Sequence, residues 1–177
     1  MPPFFEDICQ SSVANFSVRV DNMTVKKLGV QDLYSLTELF DYNDVQEMIS
    51  KCTHDIQNNL IDIFGLYVGS VLVGELRVKY HSEDDTFAVC GRRAYLYAFR
   101  VRNNYQGKGC GKFLIKKVIS MLKENGYQEF TVGVEDDNLK AMHIYQSLGF
   151  HELLLRKQEE YQGDTYEYNL YLLRTHA

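Results

Sequence analysis

The sequence predicts an α/β (mixed α+β) fold: a mixed, mostly antiparallel sheet of six to seven strands with helices on both faces. Three observations carry this. Apolar residues keep a helical period before about residue 60 and alternate along most later stretches. Residues 63–68 and 71–78 flank Gly69-Ser70, a two-residue loop with glycine first, which favours a type II′ hairpin and so antiparallel pairing. A strand, a helix and a second strand follow one another across residues 93–134, which requires a parallel, right-handed crossover.

The elements follow in order. Residues 1–15 hold both prolines and read as a loose arm; residues 23–28 form a short strand. Asp32 caps a helix through Phe40, with Leu33, Leu36, Leu39 and Phe40 on one face. Asn43 or Asp44 caps a second helix that carries Val45, Met48, Ile49, Cys52 and Ile56. The hairpin comes next, then a polar turn at residues 81–85 and a strand at 93–101. A helix runs to about Asn125 with Leu114, Ile115, Val118, Ile119 and Leu122 as its stripe, and Gly126 ends it. Phe130, Val132 and Val134 alternate along a strand. Asp137 or Asn138 caps a short helix with Ala141, Ile144, Tyr145 and Leu148, ended by Gly149. Strands at residues 151–160 and 165–173 turn at Gly163.

The 177 residues suit one domain with one sizeable core, and 45% hydrophobic content argues against disorder. A net charge of −5 makes nucleic acid a poor partner and suits a cationic one. Cys9, Cys52, Cys90 and Cys110 are scattered and the five histidines do not cluster, so free thiols in a reducing cytosol are expected and no metal. The opening residues are acidic and lack the apolar run of a leader, and no stretch approaches the roughly 20 residues that span a bilayer. A cytoplasmic protein without a membrane partner is expected. The tyrosine- and leucine-rich last strand fits a homodimer interface or a closed sheet edge equally well.

Chemistry concentrates at Gln106-Gly-Lys-Gly-Cys-Gly111, a glycine-rich turn between a strand and a helix. Convergent backbone amides, absent β-carbons and a helix dipole make such a turn an anion site. The Walker A register fails, because only three residues separate Gly107 from Gly111 and Lys112 is followed by Phe113. The dinucleotide pattern fails too, ending on Lys112 or Leu114. What fits is [RQ]-x-x-G-x-[GA], filled by Gln106, Gly109 and Gly111, followed by Asn138, Ala141, Tyr145 and Gly149-Phe150 on the next helix. Asn138 and Tyr145 are seven apart and share a helix face.

These motifs and the element order resemble the GNAT superfamily of acyl-CoA-dependent N-acetyltransferases, most strongly from Tyr95 to Phe150. The resemblance implies a central splay between two parallel strands that admits the pantetheine of acetyl-CoA, beside Phe99 and Val101. It implies that the pyrophosphate lies on Gln106, Gly107, Lys108, Gly109, Cys110, Gly111 and Lys112, that Asn138 bonds the pantetheine, and that Tyr145 serves the departing thiolate. A backbone N–H near Val101 would stabilise the oxyanion.

Many members of that family carry a glutamate four residues before the valine matched by Val101; here Tyr97 stands there. Glu75, Glu135 and Asp136 are the carboxylates left to act through water, or the amine is acidic enough to need little help, with Tyr97 shaping the pocket. Tyr34, Tyr42, Tyr95 and Tyr97 are candidates for an aromatic acceptor site. The expected activity is direct acetyl transfer to a primary amine of a small molecule or peptide. The alternative is a non-catalytic acyl-CoA-binding sensor on the same fold.

Overall fold

A computed structural model describes residues 17–161 and 163–176. The loose arm expected at residues 1–15 lies outside the described residues. The sheet has seven strands in the order β1-β2-β3-β4-β5-β7-β6, within the six to seven expected. They are β1 (Met23–Lys27), β2 (Ile61–Val68), β3 (Val71–Lys79), β4 (Arg93–Val101), β5 (Glu129–Glu135), β6 (Glu152–Tyr161) and β7 (Asp164–Arg174). β4 and β5 pair in parallel, as the crossover through α2 (Cys110–Glu124) requires; β1–β2, β5–β7 and β6–β7 are antiparallel. The chain divides into two compact units, residues 17–78 with 98–118, and residues 79–97 with 119–176.

In the first unit the expected helix at residues 32–40 is instead a 3₁₀ segment, Val30–Glu38. Its bonds close over three residues, Asp32 N–H to the Gly29 carbonyl and Leu39 N–H to the Leu36 carbonyl. The Ser35 and Thr37 hydroxyls take the carbonyls of Asp32 and Tyr34 at 2.6 and 2.7 Å, competing with an α-helical ladder. Asp32 is not the cap; its carboxylate accepts the Gly29 N–H from inside the first turn. Leu33 and Leu36 are buried as the spacing required. Helix α1 (Val45–Gln57) is capped by Asp44, which accepts the Glu47 N–H at 2.8 Å, and buries Met48 and Cys52.

The β2–β3 turn has Gly69 at φ +60, with no positive φ at Ser70, as a type II′ turn demands. Gly74 of β3 is fixed by crowding: a β-carbon there would stand 2.8 Å from the Arg100 carbonyl oxygen on β4.

In the second unit β7 lies between β5 and β6, so the final hairpin folds its last strand inward. Phe130, Val132 and Val134 of β5 are buried, as are Leu170 and Leu172 of β7 and Phe150. Each such side chain contributes about 1.5–3 kcal/mol when fully buried. Helix α3 (Leu139–Ser147) is capped by Asn138, which accepts the Ala141 N–H at 3.1 Å. Leu114, Ile115, Val118, Ile119 and Leu122 of α2 are all buried, the stripe read from the sequence. No described helix is long and apolar enough to cross a membrane.

Candidate functional site

The glycine turn is built by backbone conformation. Gly107 and Gly109 adopt φ +69 and +82, and among the described residues none beyond the adjacent ones lies within 4 Å of where a β-carbon would project at either. The left-handed backbone, not crowding, therefore demands glycine. Gly109 supplies the carbonyl for the first helical bond, from Phe113 N–H, so the amides of Cys110, Gly111 and Lys112 open α2 ahead of its helical ladder. Gln106 braces the turn instead of facing out: its side-chain amide donates to the Val101 carbonyl at 2.9 Å and to Asn103 Oδ1 at 3.1 Å. Cys110 is buried, and burial pushes its thiol up. Lys108 is half-buried and Lys112 exposed.

Strand β4 changes character midway. Its ladder with β5 runs from Arg93 opposite Glu129 to Leu96 opposite Val132 and stops, although β4 continues to Val101 and β5 to Glu135. Ala98 then takes φ +49, left-handed for a residue with a β-carbon, at a cost of about 1–2 kcal/mol. Strain of this kind inside a strand needs a reason, and ending the ladder so that backbone groups stay available for a ligand is one. Phe99 is buried and Val101 half-buried just beyond it.

Tyr145 is buried, edge-on to Phe150 at 5.7 Å between centroids, and burial raises the pKa of its phenol well above the ordinary value. Tyr97, half-buried, stacks on buried Tyr95 at 5.6 Å, and Phe87 meets Tyr95 edge-on at 5.2 Å. Tyr34 is 68% exposed, whereas Tyr42 is half-buried within a polar cluster.

That cluster went unread in the sequence. Glu75, open to reading as a solvent-facing strand residue, is fully buried. Its Oε1 lies 2.5 Å from Arg100 and 3.6 Å from Arg77, and Oε2 has no hydrogen-bond partner among the described residues. The Tyr42 hydroxyl accepts from both arginines at 2.9 Å, Arg77 also donates to the Cys52 sulfur at 3.4 Å, and the Arg100 guanidinium lies 4.1 Å from the Phe40 ring centroid. Of the other carboxylates, Asp136 is exposed and accepts from the Asn169 side-chain amide. Glu135 is half-buried at the end of β5, and burial, with Asp137 beside it, raises its pKa. No group of three or more potential metal ligands occurs among the described residues.

The family model described as the acetyltransferase (GNAT) family matches residues 30–150. A [ribosomal protein bS18]-alanine N-acetyltransferase from Haemophilus influenzae is 38% identical over 74 residues, 40% of this chain and 50% of that protein. A thialysine N-epsilon-acetyltransferase from Sus scrofa is 38% identical over 63 residues, 36% of this chain and 37% of that protein. The matched stretch thus spans half or less of the length of these curated relatives. The fold is shared with a putative acetyltransferase of Salmonella typhimurium solved with acetyl-CoA (TM-score 0.67, 17% identity, 86% of this chain and 94% of that one). It is shared also with a probable acetyltransferase of Staphylococcus epidermidis (TM-score 0.71, 20% identity, 87% and 99%).

Proposed function

The chain belongs to the acetyltransferase (GNAT) family, and we propose that it transfers an acetyl group from acetyl-CoA to a primary amine by direct attack in a ternary complex. The observation that carries the reading is the turn of left-handed glycines, Gly107 and Gly109, that presents the first amides of α2 to an anion. The residues fit the pyrophosphate of coenzyme A: open backbone at two glycines, donors at Cys110, Gly111 and Lys112, and the charges of Lys108 and Lys112 nearby in sequence. The end of the β4–β5 ladder leaves backbone groups around Phe99 and Val101 to pair with the pantetheine and to stabilise an oxyanion. Asn138, already the cap of α3, would bond the pantetheine through the remainder of its amide. Acetyl-CoA supplies the activated acyl group; the chain's residues hold it, admit the amine and manage protons.

Tyr145 suits a hydrogen bond to the departing sulfur better than full proton transfer. A free phenol near pKa 10 is already weaker than a thiol near 8.5, an uphill transfer of about 2 kcal/mol, and burial widens the gap. Among the three carboxylates, Glu135 is the base we favour. Glu75 is bound to Arg100 and Asp136 is exposed and engaged, whereas the raised pKa of Glu135 moves it toward neutral pH, where a base works best. The two relatives are named for an alanine nitrogen and an ε-nitrogen. An α-amine near pKa 8 needs little help, but a lysine-like amine near 10.4 is about one part in a thousand neutral at pH 7.4, a penalty of about 4 kcal/mol, and needs the base.

The acidic limb of kcat/KM tests this assignment. It should lie above the ordinary carboxylate range and vanish in Glu135→Gln, with a loss of about 100-fold for a lysine-like amine near neutral pH. An unchanged limb in Glu135→Gln removes Glu135 as base. The same substitution reports its sign in stability. A raised carboxyl pKa means that ionisation opposes folding, so the variant gains stability above the folded pKa and none below the unfolded one.

A further inference from the structure

In the first unit the end of β4 is tied to β3 by side chains as well as by backbone. Residues 98–118, which include the glycine turn, and residues 71–78 of β3 belong to the same compact unit. The Arg100 carbonyl stands against Gly74, where a β-carbon would lie 2.8 Å from its oxygen, and the Arg102 N–H donates to the Val73 carbonyl at 2.8 Å. Next to Gly74, Glu75 receives the Arg100 guanidinium. Arg100 Nη1 donates to Glu75 Oε1 at 2.5 Å and to the Tyr42 hydroxyl at 2.9 Å, and the guanidinium carbon lies 4.1 Å from the centroid of the Phe40 ring. Phe40 and Tyr42 meet edge-on at 5.1 Å. A carboxylate, a hydroxyl and a ring face thus hold one planar, rigid group, which leaves it few orientations. From Val101 the tie continues outward, because its carbonyl accepts from the Gln106 side-chain amide at the start of the glycine turn.

Stability alone does not account for this arrangement. Burying an ion pair removes the hydration of both charges, and the attraction offsets that loss only when the remaining lone pairs are satisfied. Glu75 is fully buried, and its Oε2 has no hydrogen-bond partner among the described residues. Two residues before Arg100, Ala98 holds a left-handed backbone. An apolar pair of like volume would join β3 to β4 as well. It would not dictate a single backbone conformation around Arg100, whereas a directional, three-sided anchor does.

We propose that Arg100, locked by Glu75 and Tyr42, is a positioning residue for the coenzyme: it holds the backbone of residues 98–101 in the conformation that pairs with the pantetheine of acetyl-CoA, and so sets the affinity for that arm. The inference rests on the acetyltransferase reading and deepens it.

Calorimetric titration of the full chain, well below its melting midpoint, tests it with two probes: acetyl-CoA, and 3′-phospho-ADP, which is the coenzyme without its pantetheine. Arg100→Met should weaken acetyl-CoA about tenfold and leave 3′-phospho-ADP within about twofold, because the glycine turn keeps its amides. In turnover the loss should appear in KM for acetyl-CoA, while KM for the amine stays. Glu75→Gln and Arg100→Met combined should weaken acetyl-CoA no further than either alone, since the two act as a unit. If Glu75→Gln does not fold, Tyr42→Phe, which removes one anchor of the guanidinium, must weaken acetyl-CoA several-fold. Leu36→Ala, which opens a cavity in the core of the same unit, should lower the urea midpoint without moving the acetyl-CoA Kd. An equal loss of acetyl-CoA affinity in Leu36→Ala would make the pair merely structural and overturn the proposal. Unchanged acetyl-CoA affinity in Arg100→Met, or an equal loss for 3′-phospho-ADP, also overturns it and leaves the acetyltransferase reading standing. A wild type that does not bind acetyl-CoA overturns both.

Discussion

Glu75 is the buried residue on which most depends in the first unit. It is one carboxylate against two guanidiniums, with Tyr42 bridging the arginines through a hydroxyl whose pKa burial raises. Neutralising it leaves Arg77 and Arg100 under-compensated in a nearly dry setting, so Glu75→Gln should cost about 3 kcal/mol of unfolding free energy, read as a lower urea midpoint. If Glu135 is the base, as proposed, the acidic limb of kcat/KM should stay where it is; a limb that moves with Glu75→Gln returns Glu75 to the role of base. The sequence could name Glu75 as a carboxylate but not place it. Alternation puts Glu75 and Arg77 on one face of β3, which reads as a solvated charge pair. Arg100 is 25 positions away and Tyr42 is 35 from Arg77, and nothing local marks either as a partner. Glu159 was hidden in the same way, since its tyrosines become neighbours only once the hairpin register is set.

At the scale of elements, legibility followed how local the cause is. The glycine turn, the Gly69-Ser70 hairpin, the α2 stripe and the caps at Asp44 and Asn138 each rest on the residue's own backbone preference or on a short period, and the sequence displays them. The 3₁₀ segment at Val30–Glu38 escaped because its spacing also satisfies an α-helix, and hydroxyls at Ser35 and Thr37 decided between them. The left-handed Ala98 carries no mark, since alanine ordinarily avoids that conformation. The turn yields the prediction proper to this scale. Gly109→Ala forces a β-carbon into φ +82, costs about 1 kcal/mol and displaces the amides that open α2. Acetyl-CoA affinity measured by calorimetry should fall about tenfold, the factor that about 1.4 kcal/mol represents. Unchanged affinity would mean that the turn does not hold the pyrophosphate.

At the scale of the whole molecule, a family fold supplies the cradle and this chain supplies the departures from it. Tyr97, at the position where the family resemblance led to an expected carboxylate, joins a tyrosine cluster that holds its own carboxylate at Glu159. The net charge of −5 agrees with a cationic acceptor without choosing one. The central claim is acetyl transfer to an amine. Its most direct test is thiol release from acetyl-CoA by the full chain across a panel of monoamines, diamines, lysine and alanine-ended peptides. The account predicts saturable, amine-dependent release. Tight acetyl-CoA binding with no release for any amine would contradict it and make the protein an acyl-CoA-binding module.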